Sequence, residues 1–110
     1  MTPNEYQDAA HKYADYRGVL AGDWQYPVMG LAEEAGEVVG KFAKAVRDDG
    51  SQIFPERRMA IMKELGDVCW MVAEIGTQLN LPLEEIMTHN LEKLESRQKR
   101  NVLHGEGDDR

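Results

Sequence analysis

The chain has 110 residues, 20 acidic and 13 basic side chains and a net charge of −7, which argues against a general binder of nucleic acids or anionic membranes. Cys69 is the only cysteine, so an intramolecular disulfide and a thiolate metal site are excluded. The length predicts one domain over residues 1–110. Because neither a signal-peptide pattern nor a membrane-length apolar run is present, we expect a cytoplasmic location. From the charge and the missing apolar run, we expect it to bind neither nucleic acid nor membrane.

The first predicted helix begins at a capping box. Thr2 can cap the first turn with its hydroxyl, and Glu5 can reach back to the cap residue. The helix should run for about 14 residues and end near Gly18. Residues 18–27 are then predicted to form a loop, in which Trp24 either packs as an anchor or stacks on a planar ligand such as a nucleobase.

Two long amphipathic helices are predicted next, over residues 28–47 and 55–79. Apolar residues recur in both at three and four positions, so that each helix has one apolar stripe. The stripes comprise Leu31, Ala35, Val38, Val39, Phe42 and Val46 in the first, and Ile61, Leu65, Val68, Val72, Ile75 and Leu79 in the second. Gly30, Gly36 and Gly40 should allow the helices to approach closely, although each costs about 1 kcal/mol relative to alanine.

Two acidic pairs border these stripes, Glu34 with Glu37 and Glu64 with Asp67. Each pair has i, i+3 spacing, so its members lie on one edge of a helix. Four carboxylates brought together repel one another unless a cation or protons neutralise them. The pattern therefore favours a site for Mg²⁺ or Mn²⁺, and the alternative is a solvated acidic face. A carboxylate-bridged di-iron site would require Glu-x-x-His motifs, which this sequence lacks.

A fourth helix is predicted after Pro82, with acidic residues in its first turn. Its inward residues should be Leu83, Met87, Leu91 and Leu94. A polar ridge that could bind phosphate comprises Asn90, Lys93, Arg97 and Arg100. Residues 100–110 are expected to form a flexible tail. No alternating strand pattern occurs, and the predicted fold is all-α with four helices.

The acidic motifs Glu33-Glu34-x-x-Glu37 and Glu64-x-x-Asp67 resemble the signature of MazG-like nucleoside triphosphate pyrophosphohydrolases. The segments GLAEEAGEVVGKFAKAVRD and KELGDVCWMVAEI resemble the second and third helices of that family, and NLEKLESRQKRNVLHGEGDDR resembles the C-terminal segment of small, often phage-associated members. The resemblance implies a four-helix fold assembled as a homo-dimer or homo-tetramer. It also implies Mg²⁺-dependent hydrolysis of a (deoxy)nucleoside triphosphate to the monophosphate and pyrophosphate.

The resemblance also implies roles for individual residues. The implied metal ligands are Glu34, Glu37, Glu64 and Asp67. Glu33 is assigned a supporting catalytic role, in which it positions a water or an outer cation. The predicted substrate-binding residues are Asn90, Lys93, Arg97, Lys44 and Trp24. Independently of the resemblance, Lys41 could bond a carboxylate or face the substrate, and i, i+4 pairing with Glu37 is the favoured interpretation.

Other polar and aromatic residues have less specific interpretations. His11, His89 and His104 are not spaced as ligands and are expected on the surface. Trp70 either serves a subunit interface or lines a base pocket. Two alternative functions stay open, a phosphoribosyl-ATP pyrophosphohydrolase, which shares the acidic pattern, and a non-catalytic helical oligomerisation module. Apolar faces on all four helices exceed what one short chain can cover, so we expect a dimer or a larger assembly.

Overall fold

The computed structural model describes residues 1–16 and 19–110, which form four helices. The helices are α1 (Pro3–His11), α2 (Gln25–Asp48), α3 (Pro55–Gln78) and α4 (Leu83–Lys99). No strand occurs in this part of the chain, so the predicted all-α class with four helices is confirmed. Among the same residues, no helix combines the length and the apolar character needed to cross a bilayer.

Helix α1 starts as predicted but is shorter than predicted. The Thr2 hydroxyl accepts a hydrogen bond from the backbone N–H of Glu5 at 3.1 Å, and the Glu5 carboxylate accepts one from Thr2 at 3.0 Å, which confirms the capping box. The predicted end near Gly18 lies outside the described residues. The helix ends at His11. In the segment that follows, the Tyr16 hydroxyl donates a hydrogen bond to Glu74 of α3.

Helix α2 begins at Gln25, three residues before the predicted start at residue 28. The prediction assigned Pro27 to the loop, whereas the structure buries Pro27 in the first helical turn. Proline is compatible with this position because the first backbone N–H groups of a helix have no intrahelical partner. The loop before α2 therefore ends three residues earlier than predicted.

Helices α2 and α3 form an antiparallel pair joined by residues 49–54. Near the connection, the Arg57 guanidinium donates to the Asp49 carboxylate at 2.9 Å. At the other end of the pair, a Cβ atom added to Gly30 would lie 2.5 Å from the Met71 side chain. Gly30 therefore permits the close approach that the sequence predicts.

The other two glycines of α2 do not have that role. A Cβ atom at Gly36 or Gly40 would have no described atom within 4 Å apart from its own helix and chain neighbours. Among the described residues, no other helix therefore approaches α2 closely at these two positions. The prediction that all three glycines promote close packing is therefore wrong for these two.

Gln7 of α1 connects three other parts of the chain. Its side-chain amide donates to the carbonyl oxygens of Ala73 at 3.3 Å and Leu81 at 3.0 Å. Its side-chain oxygen accepts the backbone N–H of Leu83 at 2.8 Å. The turn between α3 and α4 is tight, since a Cβ atom at Gly76 would lie 2.8 Å from the Leu81 carbonyl oxygen. Gln7 thus satisfies backbone groups that this turn buries.

Much of the predicted apolar surface is not covered within one chain. Val39 and Val46 of α2 are each 65 % exposed, and Leu91 of α4 is 67 % exposed. Other exposed residues that the sequence places inward are Phe42, Leu65, Leu79, Met87 and Leu94. The reason is geometric, because α4 packs on α1 and α3 but makes no contact with α2 in the described chain. The apolar core is correspondingly small, with Ile61, Met71 and Leu83 as its largest members.

The C-terminal residues fold back on the end of α4. The Arg110 guanidinium donates to the carbonyl oxygens of Val102 at 3.1 Å, Leu103 at 2.8 Å and Gly107 at 2.6 Å. Residues 101–110, within the stretch predicted as a flexible tail, contain neither helix nor strand. Besides the contacts of arginine side chains and Asp108, the backbone N–H of Val102 donates to the Arg97 carbonyl at 2.8 Å.

Candidate active site

Three of the predicted metal ligands meet between α2 and α3. Glu34, Glu64 and Asp67 each offer one carboxylate oxygen, and these three atoms lie within 4.8 Å of one another. Glu64 and Asp67 lie one helical turn apart on α3, and Glu34 faces them from α2. We call this group the acidic cluster. Carboxylate oxygens at such spacing are the donors that hard divalent cations prefer.

Glu37 and Glu33 lie on the same stretch of α2, but neither is a member of the acidic cluster. Both side chains are exposed. Their charges nevertheless reach the cluster, because each contributes to raising the pKa of Glu34. The structure therefore brings together three of the four predicted ligands, and Glu37 lies outside the group.

The acidic cluster is electrostatically strained. The pKa of Glu34 is raised above its ordinary value, first by burial and then by the negative charges of Asp67, Glu33, Glu64 and Glu37. Burial and like charge both favour the protonated form of a carboxyl group. A cation in the cluster would remove the second cause.

Lys41 forms an ion pair with a member of the acidic cluster. Its Nζ lies 3.3 Å from the Glu64 Oε1, and the two side chains are 23 % and 19 % exposed. The predicted partner of Lys41 was Glu37 on its own helix, and this prediction is wrong. The reason is that Lys41 lies on the face of α2 that packs on α3, where Glu64 is close.

A second polar cluster lies between α1 and α3, and sequence reasoning missed most of it. The Glu74 carboxylate is fully buried, with the His11 Nδ1 at 3.0 Å and the Tyr16 hydroxyl donating at 2.7 Å. The Gln78 amide donates to the Tyr16 oxygen at 2.9 Å, and its oxygen accepts the Asp23 backbone N–H at 3.0 Å. We call this group the buried polar network.

The network corrects the expectation for His11 and adds intrachain contacts for Trp70, whose place at a subunit interface or in a base pocket stays a prediction. His11 was expected on the surface, whereas it is half-buried against Glu74. Trp70 donates its ring N–H to the Ala10 carbonyl at 3.1 Å and meets the Tyr16 ring edge-on at 6.3 Å, so it packs inside the chain. A signal was present, because Trp70, Glu74 and Gln78 recur every four residues on α3 and therefore share one face.

Comparison with known proteins agrees with this arrangement. Residues 26–102 match the model of the MazG nucleotide pyrophosphohydrolase domain. The chain belongs to this family. The resemblance seen in the acidic motifs is thereby confirmed, and the matched segment contains the whole acidic cluster of this MazG domain.

A relative of the MazG domain described here is the Gene 37 protein of Mycobacterium phage L5. The two sequences are 43 % identical over 111 residues, and the alignment covers 96 % of each chain. The name of that relative states no activity. No solved structure matched the chain.

The predicted substrate residues of the MazG domain are dispersed over α2 and α4. Lys44 and Asn90 are exposed, and Trp24 is 48 % exposed at the start of α2. On α4, the Lys93 Nζ lies 2.8 Å from the Asp108 carboxylate, and the buried Arg97 lies 3.2 Å from the same oxygen.

Lys93 and Arg97 therefore both bind a carboxylate oxygen of Asp108, which lies near the C-terminal end of the chain. Arg97 also donates to the Asp108 backbone carbonyl. The Nε atom of Arg97 is buried and has no hydrogen-bond partner among the described residues. Asp108 has a lowered pKa, caused first by its hydrogen bond from Lys93 and then by that from Arg97.

Proposed function

We propose that this MazG domain hydrolyses (deoxy)nucleoside triphosphates to the monophosphate and pyrophosphate in a metal-dependent reaction. The observation that supports this most strongly is the convergence of Glu34, Glu64 and Asp67 from two helices to within 4.8 Å. Membership of a nucleotide pyrophosphohydrolase family supplies the reaction class.

The donor set fits a hard divalent cation. All three donors are carboxylate oxygens, which suit Mg²⁺ and also Mn²⁺. Oxygens that share one Mg²⁺ lie about 3 to 4 Å apart, since each bond is about 2.1 Å long, so the side chains would need only small rotations. We propose Mg²⁺ as the ion, with Glu34, Glu64 and Asp67 as ligands. Glu37, one turn from Glu34, would complete the set.

The chain's own residues explain why an acidic site can accept an acidic substrate. When bound, the metal ion neutralises charge on the phosphate oxygens and polarises the phosphoryl group toward attack by water. The carboxylates of the acidic cluster would hold the metal ion in a fixed position, because they project from two packed helices. Glu33, exposed next to Glu34, is proposed to accept a hydrogen bond from the attacking water and so to orient it.

Contacts to the rest of the substrate are proposed for side chains outside the acidic cluster. The choice of Lys93 and Arg97 is supported by their contacts with the Asp108 carboxylate, because a phosphate would present similar oxygens. The remaining proposed contacts are Asn90 and Lys44 for the phosphates and Trp24 for the base.

We further propose that the protein acts as a homo-dimer or homo-tetramer. The exposed side chains of Val39, Val46 and Leu91 support this, because large uncovered apolar faces are unusual on a monomeric protein. Sedimentation velocity at micromolar concentration should show a dimer or a larger species. A monomer under these conditions would contradict the assembly.

A substrate panel tests the enzymatic proposal. The protein is incubated with each of the eight common nucleoside and deoxynucleoside triphosphates, with Mg²⁺ or Mn²⁺, and the products are separated by chromatography. We expect a monophosphate and pyrophosphate in equal amounts, and no reaction when the metal is chelated. Phosphoribosyl-ATP serves as an additional substrate, and its exclusive turnover would redirect the assignment. No turnover of any compound would indicate a non-catalytic module.

A further inference from the structure

We propose that Lys41 serves two partners in succession. In the metal-free acidic cluster it is the counter-ion of Glu64. Once a metal ion binds the Glu64 carboxylate, Lys41 contacts a phosphate of the substrate instead. This inference rests on the proposed function. It adds a phosphate-binding residue that becomes free only when a metal ion binds the acidic cluster.

The position of Lys41 supports the first role. Its Nζ lies 3.3 Å from the Glu64 Oε1, and both side chains are mostly buried. Lys41 follows Glu34 by seven residues, which is close to two full helical turns, so both side chains project from the same face of α2. The ammonium group therefore borders the acidic cluster on the side toward the C-terminal end of α2.

The charge balance of the cluster gives Lys41 a specific task. Among the described residues, it is the only lysine or arginine within 4.0 Å of a carboxylate of the acidic cluster. One ammonium group cannot neutralise the three carboxylates that lie within 4.8 Å of one another. The metal-free cluster is thus only partly compensated.

Competition for Glu64 provides the exchange between the two roles. A divalent ion and an ammonium group both require the negative charge of this carboxylate, so metal binding weakens its attraction for Lys41. A triphosphate brings new negative charge to the same place. The lysine side chain is a compact charge on a flexible four-carbon stem, so Nζ can turn to a phosphate oxygen without backbone movement.

The test uses the full chain with Lys41→Met, and Lys99→Met as a matched control. Lys99 carries the same charge but pairs with Glu95 on the exposed face of α4. Binding of Mn²⁺ in the absence of nucleotide is measured by electron paramagnetic resonance. The KM is then measured with the triphosphate that the wild-type protein hydrolyses best.

The two roles predict changes in opposite directions. Without its competitor, the cluster of Lys41→Met should bind Mn²⁺ about fivefold more tightly than the wild type, because a partly buried ion pair no longer has to be broken. The KM for the triphosphate should rise about tenfold, because a charge-assisted contact to phosphate is lost. Lys99→Met should change neither value by more than about twofold.

Several results would overturn the inference. If either the Mn²⁺ affinity or the KM of Lys41→Met equals that of Lys99→Met, Lys41 does not have both roles. Should Lys41→Met fail to fold, as judged by circular dichroism, Lys41→Gln provides the same two measurements. Absence of Mn²⁺ binding to the wild type would instead overturn the proposed function. Wild-type binding and turnover with no effect of the Lys41 variants would overturn this inference alone.

Discussion

Helix α3 places carboxylates against two neighbouring helices, and the two environments are opposite in character. In the buried polar network, Glu74 is fully buried but has His11 and Tyr16 as close partners. In the acidic cluster, Glu64 and Asp67 face a third carboxylate, and one ammonium group provides partial compensation.

The comparison separates two uses of the same side chain. A buried carboxylate with donors on both oxygens stabilises the contact between helices, and removing it leaves those donors unpaired. Carboxylates that face one another raise the free energy of the metal-free chain and become favourable only with a cation. We therefore expect the two groups to respond differently to substitution.

The largest expected effect is on catalysis. Asp67→Asn should lower the turnover rate about a thousandfold, because a charged ligand is lost where charge develops in the reaction. The melting temperature of the metal-free protein should stay the same or rise, since repulsion is removed. Steady-state kinetics and thermal unfolding check both. Glu56→Gln, on the exposed first turn of α3, is the control. A large loss of stability in Asp67→Asn would contradict this prediction, because it would show that Asp67 stabilises the fold as Glu74 does.

Glu74→Ala should have the opposite profile. Removing this buried acceptor should cost about 1 to 3 kcal/mol of unfolding free energy for each donor that stays buried, because the remaining groups lose their hydrogen bonds. The turnover rate per folded molecule should be unchanged. Urea unfolding at neutral pH measures the loss, and Glu74→Gln should lose less because it retains an acceptor. Wild-type stability of Glu74→Ala would show that the network does not hold α1 on α3.

The smallest expected effect concerns alkaline pH. Burial, followed by the hydrogen bond to Glu74, raises the pKa of Tyr16 to about 12 from 10.0. The folded chain therefore holds this proton more tightly than the unfolded chain, so the contribution is complete below pH 10 and is lost as the pH rises toward 12. Tyr16→Phe should lack this decline, and should lose about 1 kcal/mol near neutral pH. Melting temperatures from pH 9 to 12 test it, and identical slopes for both proteins would contradict it.

The sequence was sufficient for the helices and for most of the acidic cluster. Periodicity fixed the helix class, because apolar residues at three and four positions define a stripe. The meeting of Glu34 with Glu64 and Asp67 followed from their angular position beside two stripes that pack together. Glu37 lies outside the group, because the angular position on a helix does not determine which side chain a neighbour approaches.

The same rules place Glu74 and Gln78 on one face of α3, but they do not predict that this face is buried or what it contacts. Glu74 and Gln78 have the residue types of exposed helix positions, and only tertiary packing shows that their partners come from α1 and the following loop. Likewise, Val39 and Leu91 belong to clear apolar stripes, but periodicity does not say whether the covering surface belongs to the same chain. The sequence thus predicted which residues share a helix face better than it predicted which residues each face contacts.

The hydrogen bonds of Gln7 bear on where the folding unit begins. The family match starts at residue 26, after α1, yet the Gln7 side-chain amide bonds three main-chain groups in α3 and around the α3–α4 turn. In a chain trimmed to the matched segment, the backbone groups of Leu81 and Leu83 at the α3–α4 corner would lose these hydrogen bonds and would pair with water instead. The segment matched by the family model is therefore smaller than the unit that these hydrogen bonds hold together.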